Sequence, residues 1–197
     1  MLVVNGKSGI ASLEDLVKRS KAEPGKLTYS SAGPGTTPHI GMEIFKEQAG
    51  VNLLHVPYKG AAPAVTALLS GEVNATMVDL LPVLPHVNAG TLKVLAVAAG
   101  SRAPQLPDAP TTAEKGLAGV TMETTYGIIA PKSLPPAIAT KLREAIVAAV
   151  NAPEMKQQFL QQGALPVTST PAEYQKLMQA ESDKWKNIIV KAKISLE

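Results

Sequence analysis

Through its first hundred residues the chain alternates short apolar runs with amphipathic helical stretches, each bounded by glycine or proline. Residues 2–4, 27–30, 53–56, 74–78 and 93–98 read as strands. Helices are expected between them. The first has Ser12 as N-cap with Glu14 and Asp15 in its first turn. The second starts near Thr37-Pro38 and stops at Gly50, and the third runs over residues 62–70 to Gly71. A short helix near residues 82–88 leads to Gly90. This strand–helix order predicts a mostly parallel sheet covered by helices on both faces. In such sheets ligands collect at the carboxyl ends of the strands. Two loops therefore stand out, the one after Ser30 and the one after Val78.

Beyond residue 100 the pattern changes. Residues 102–112 form a proline-rich connection, and residues 121–130 read as one strand-like stretch. Helices follow over 135–150, 153–162 and 171–190, with 165–167 extended between the last two. Thr170-Pro-Ala-Glu173 is a full capping box with proline at the first helical position. Trp185, Ile188 and Ile189 read as the buried stripe of the last helix.

Composition narrows the function. Hydrophobic residues make up 45% of the chain but aromatics only 4%, so the core is aliphatic. The net charge is +3, from 19 basic and 16 acidic groups scattered without a basic block, which excludes an electrostatic nucleic-acid binder. There is no cysteine, hence no disulfide scaffold, thiol catalysis or thiolate metal site. No apolar run reaches membrane-helix length. The first residues lack the basic and apolar regions of a signal peptide, and Leu196-Glu197 reads as a vector-derived scar. Both ends hint at a piece of something longer.

The segment Ser30-Ser31-Ala32-Gly33-Pro34-Gly35-Thr36-Thr37-Pro38-His39 joins a strand to a helix start. Small residues let a ligand approach the backbone, and the N–H groups of a first helical turn favour negative charge. Ser31, Thr36 and Thr37 add hydroxyls. A carboxylate is the natural guest, although the same residues would serve an ordinary tight turn with a cap. The segment lacks the lysine of a Walker loop and the third glycine of a dinucleotide fingerprint. Asp79, at a strand end, could accept from a ligand amine, hydroxyl or water, or cap the following helix. Tyr58 and Lys59 sit on another strand-end loop, where Lys59 could lend positive potential. Histidines occur only at 39, 55 and 86, with no metal-binding spacing. Neither G-x-S-x-G nor S-x-x-K appears. No metal, cofactor or catalytic residue is assigned. An enzyme using His39 or Asp79 as acid or base stays open as an alternative, as does a fragment with an unoccupied cleft.

Several stretches form a connected signature. Lys26-Leu-Thr-Tyr-Ser-Ser-Ala-Gly33, Gly35-Thr36, His39, His55-Val-Pro-Tyr-Lys-Gly60, Pro63-Ala64 and Leu81-Pro82 open it. Leu84-Pro85-His86, Ala89-Gly90, Leu106-Pro107-Asp108, Pro110-Thr111 and Gly127-Ile-Ile-Ala-Pro131 continue it. Together they resemble the tripartite tricarboxylate transport receptors, also called Bug receptors, over essentially the whole chain. The resemblance implies an α/β, type II periplasmic-binding-protein-like fold with two lobes and a cleft. It implies a periplasmic, non-enzymatic receptor that passes a small carboxylate ligand to membrane transporter subunits, with lobe closure as the signal. The implied ligand is a di- or tricarboxylate, an amino acid or a related compound. The implied site residues are Ser31, Ala32, Gly33, Gly35, Thr36, Thr37 and His39, with Asp79 beside the ligand. On this reading residues 4–119 are lobe two, with a parallel sheet. Residues 120–197 are a hinge crossing and the C-terminal helical part of lobe one, whose N-terminal part is absent. The remnant's exposed apolar faces would invite self-association. Pro38, Leu80 and Tyr126 depart from residues common in the family and leave the ligand's identity open.

Overall fold

The structure is a computed structural model, and it describes residues 1–191; Leu196 and Glu197 lie outside the described residues. Two compact units emerge. One comprises Met1–Thr124 and the chain from Ser182, and the other Thr125–Glu181.

The first unit is built on five strands: β1 (Leu2–Asn5), β2 (Thr28–Ser31), β3 (Leu54–Pro57), β4 (Ala75–Met77) and β5 (Leu92–Ala96). Their order across the sheet is β3-β2-β4-β1-β5. β2 pairs in parallel with β3 and β4, but β1 runs antiparallel to both β4 and β5. The sheet is therefore mixed rather than uniformly parallel. Apolar pattern fixes which residues are buried, and Leu2-Val3-Val4 is wholly buried in either direction. The reversal brings Met1 to the carboxyl ends of β2 and β4, because Leu2 pairs with Met77.

Helices α1 (Leu13–Ala22), α2 (Thr37–Ala49), α3 (Ala61–Ser70) and α4 (Leu84–Asn88) connect the strands. Strand alternation divides their packing. Leu2, Val4, Tyr29, Ala75 and Met77 meet Leu13 and Leu16 of α1 and Ile40, Met42, Ile44 and Phe45 of α2. On the other face Val3 and Leu92 meet Val65, Ala67 and Leu68 of α3 and Val83 before α4. The aliphatic core expected from composition has two large aromatic side chains fully buried in it, Tyr29 and Phe45. Asn5 ties β1 to α3, its amide nitrogen donating to the Leu68 and Leu69 carbonyls at 2.9 Å each. This answers carbonyls that a helix end leaves without partners. The N-cap of α1 forms as expected, with the Asp15 N–H donating to Ser12 Oγ at 3.2 Å.

Residues 121–130 form no strand. The Met122 N–H reaches the Ala98 carbonyl at 2.7 Å, the Thr121 carbonyl and hydroxyl accept from Lys184 Nζ, and Val120 is fully buried, but among the described residues the segment forms no strand ladder. The second unit carries α5 (Pro136–Asn151), α6 (Pro153–Gln161) and most of α7 (Pro171–Lys191). The capping box closes reciprocally: Thr170 N–H donates to Glu173 Oε2 at 2.7 Å and Glu173 N–H to Thr170 Oγ1 at 3.2 Å. Beyond Ser182, Trp185 and Ile188 pack on the first core, three residues apart as one helix face requires. Ile189 is exposed and does not join that stripe. Among the described residues no helix is long and apolar enough to cross a membrane.

Candidate functional site

The β2–α2 loop sits at the carboxyl edge of the sheet, where the strand–helix order places it. Gly33 adopts φ +128° and Gly35 φ +70°, conformations that side-chain-bearing residues resist. They let the chain fold back on itself. Thr36 Oγ1 donates to the Gly33 carbonyl at 2.6 Å, and the Thr36 N–H reaches the same oxygen at 3.3 Å. The Gly33 N–H donates to Ser31 Oγ at 3.1 Å, and the Gly35 N–H donates to His39 Nδ1 at 3.0 Å. The Tyr58 and Gly60 N–H groups close the outer side on the Ser31 and Ala32 carbonyls.

These bonds sort the expected anion donors. The N–H groups of Gly33 and Gly35 and the hydroxyls of Ser31 and Thr36 are engaged within the loop. Among the described residues no protein acceptor takes the N–H of Ala32, Thr37 or His39. Pro38, at the second helical position, has no N–H to satisfy. The two open amides of the first turn, Thr37 and His39, therefore carry the positive end of the α2 dipole.

Thr37 and Pro38 line a hollow with Met77, Val78, Asp79 and Met122, of about 10 Å³. That is room for one water and no more. The hollow thus brings Thr37 and Asp79 together, two residues 42 positions apart in sequence. Asp79 is exposed and accepts from Thr124 Oγ1 at 3.0 Å rather than capping a helix. Lys59 is exposed, and Tyr58 donates its hydroxyl to Glu72 at 2.8 Å.

Behind the loop lies a polar cluster that sequence reasoning did not assemble. The rings of Tyr29, His55 and His39 stack in that order, with centroids 4.8 Å and then 4.0 Å apart. His55 Nε2 lies 2.6 Å from Ser31 Oγ. Glu43 accepts from Tyr29 Oη at 2.5 Å and from Lys46 Nζ at 2.7 Å, and stands 4.0 Å from His39 Nε2. Burial lowers the His39 pKa, with Glu43 opposing and Lys46 assisting. Burial, then the neighbouring His39, push His55 down to about 4. Burial and the Glu43 carboxylate push the Tyr29 phenol up. The signal was present in two spacings: His39 and Glu43 are one helical turn apart, and parallel pairing sets Tyr29 opposite His55.

Residues 1–194 match the family TctC, the tripartite tricarboxylate transporter family receptor. The chain belongs to that family. It is 32% identical over 189 residues to the protein BugT of Bordetella pertussis, and 33% over 196 residues to a UPF0065 protein from the tcbD-tcbE intergenic region of a Pseudomonas species. Those alignments cover 96% and 99% of the chain but 58% of each relative. Among solved structures, Rpa4515 from R. palustris with adipate superposes with TM-score 0.91 at 31% identity, covering 99% of this chain and 65% of that one. MatC from Rhodopseudomonas palustris with bound malate gives 0.85 at 25%, covering 96% and 65%. The periplasmic binding protein BugD gives 0.87 at 28%, covering 98% and 66%. The chain thus spans between half and two-thirds of the length of these proteins.

Proposed function

We propose that this chain is the ligand-holding part of a solute-binding receptor, which captures a small carboxylate-bearing molecule and passes it to membrane transporter subunits unchanged. One observation carries the reading: the Thr37 and His39 amides, without protein acceptors, stand at the α2 N-terminus beside a hollow at the carboxyl edge of the sheet. Charge-assisted hydrogen bonds to such amides are worth about 1.5–3 kcal/mol each. Ala32 N–H and the Thr37 hydroxyl extend the donor set, and Gly33, Gly35, Ser31 and Thr36 shape it. Asp79 borders the same hollow from the opposite strand end. The adipate and malate of the two similar structures support a dicarboxylate class. His39 is a poor general base, since its Nδ1 already accepts from Gly35.

In this proposal residues 4–119 are one lobe and residues 120–197 belong with the other. A hollow of about 10 Å³ is one wall of a cleft. The opposite wall would come from sequence that the longer relatives carry. Periplasmic residence follows from the same reading. The exposed Ile128, Ile129, Leu165 and Val167 of the second unit make self-association of the isolated chain the expected behaviour.

Calorimetry with adipate, malate and the uncharged 1,6-hexanediol tests the reading. Binding of either diacid, none of the diol, and recovery of unaltered ligand are expected. Equal heats from diol and diacids, or turnover of a bound diacid, would overturn it.

A further inference from the structure

We infer that His39 is a proton-dependent positioning residue for the β2–α2 loop, with His55 as its companion: together they hold the two loop glycine amides inward and so leave the Thr37 and His39 amides facing out. The consequence for ligand capture rests on the carboxylate reading above; the effect on the loop does not.

Bond directions fix the chemistry. The Gly35 N–H donates to His39 Nδ1, so that nitrogen is bare and the neutral ring carries its hydrogen on Nε2, the atom 4.0 Å from Glu43. A second proton has only Nδ1 to occupy. There it meets the Gly35 N–H head-on, and the imidazolium ceases to be an acceptor. The Gly33 amide is held one step further back: its acceptor, Ser31 Oγ, is the atom 2.6 Å from His55 Nε2. Each glycine amide is thus secured to one histidine, Gly35 directly and Gly33 through Ser31.

The surroundings oppose protonation and make it decisive when it comes. His55 from β3 stacks on His39 at 4.0 Å, so a charge on one ring disfavours a charge on the other. Glu43 and Lys46 face the pair from α2 itself, and Tyr29 faces it from β2. Glu43 is already committed to the Tyr29 hydroxyl and to Lys46, which limits the compensation it offers an imidazolium. His39 is 8% exposed, so solvent offers little more. Release of Gly35 would leave the loop free to turn that amide outward, changing the donor set offered at the α2 N-terminus.

Nitrogen-15 NMR of the whole chain between pH 8 and pH 4.5 tests this without ligand. The Gly35 amide resonance is expected to inflect at the His39 ring midpoint. Its exchange rate, corrected for intrinsic pH dependence, should rise about tenfold, as loss of one hydrogen bond implies. In His39→Gln, which keeps an acceptor but does not titrate, the inflection should vanish. In His39→Phe the Gly35 amide should be unprotected throughout. A Gly35 resonance blind to His39 titration in the wild-type chain would overturn the inference, and that measurement does not depend on any variant folding. Malate calorimetry on the same samples is read separately: NMR coupling without malate binding supports the positioning role and counts against the carboxylate reading alone.

Discussion

The imidazoles of His39 and His55 stack with centroids 4.0 Å apart and 13° between their planes, so a charge on either ring disfavours a charge on the other. Both pKa values lie below the ordinary 6.5, His55 at about 4. The unfolded chain takes up protons near pH 6.5 while the folded chain does not. Stability is therefore full above that pH and falls as acid is added, down to about pH 4. Each histidine contributes a slope of at most about 1.4 kcal/mol per pH unit. Urea unfolding between pH 7.5 and 4.5 measures it, and His55→Gln should show the shallower decline. A wild-type midpoint constant from pH 6.5 to 5 would contradict the assignment.

Thr37→Pro isolates the proposed donor. Proline suits the first helical position, and Thr36 already has the extended backbone, φ −73° and ψ 159°, that a residue before proline prefers. The substitution deletes the Thr37 N–H with little change in helix stability. Affinity for adipate should fall about 10- to 100-fold, the loss of one charge-assisted bond. Thr37→Val, which keeps the amide and loses only the hydroxyl, should fall less. Calorimetry on the two variants separates amide from side chain.

Burial was readable in the sequence because it follows from periodicity. Ile40, Ile44 and Phe45 recur at helical spacing along α2 and are buried, with Met42 beside them, and the caps at Ser12 and Thr170 form from the residues expected. Direction and partnership were not readable. Leu2-Val3-Val4 is equally apolar read either way, so nothing local announced that β1 runs antiparallel. Residues 121–130 have a strand's composition but form no strand, and Ile128 and Ile129 stay exposed. At the site, residue types pointed to the β2–α2 loop but not to which of its donors are engaged within it. That depended on His39 Nδ1 and Ser31 Oγ, acceptors whose aim is set by packing against Tyr29 and His55.

Gly33→Ala should damage the loop more than Gly50→Ala damages the end of α2. Gly50 has φ +61°, a left-handed conformation that other residues tolerate at modest cost. Gly33 has φ +128°, well outside that basin, and its carbonyl accepts from both Thr36 Oγ1 and Thr36 N–H. Strain of about 1–3 kcal/mol is expected at Gly33. Diacid affinity should drop with it. Thermal unfolding and calorimetry of the pair check the ranking.

Thr170→Ala removes one half of the reciprocal cap on α7 and leaves Glu173 Oε2 with the Thr170 N–H alone. The cost is about 1 kcal/mol. Because the cap lies in the second unit, amide exchange should accelerate in the first turn of α7 and leave β2 and α2 unchanged. Acceleration spread evenly across both units would show that they unfold as one.

Asp79 and Thr37 share a hollow, so a bound carboxylate at the α2 N-terminus would lie close to a second carboxylate. For a ligand whose only polar groups are carboxylates, such as adipate, that neighbour is repulsive. Asp79 is exposed and its charge is screened by water and salt, which keeps the penalty small. Asp79→Asn preserves the acceptor for Thr124 Oγ1 and removes the charge. Adipate affinity should rise about two- to fivefold at low salt, the scale of an exposed charge interaction, and the gain should shrink as ionic strength increases. Malate brings a hydroxyl that the Asp79 carboxylate accepts from more strongly than an amide oxygen does, so its gain should be smaller than that of adipate. Calorimetry of both ligands at two salt concentrations checks the contrast. Equal gains for the two would mean that Asp79 acts through charge alone.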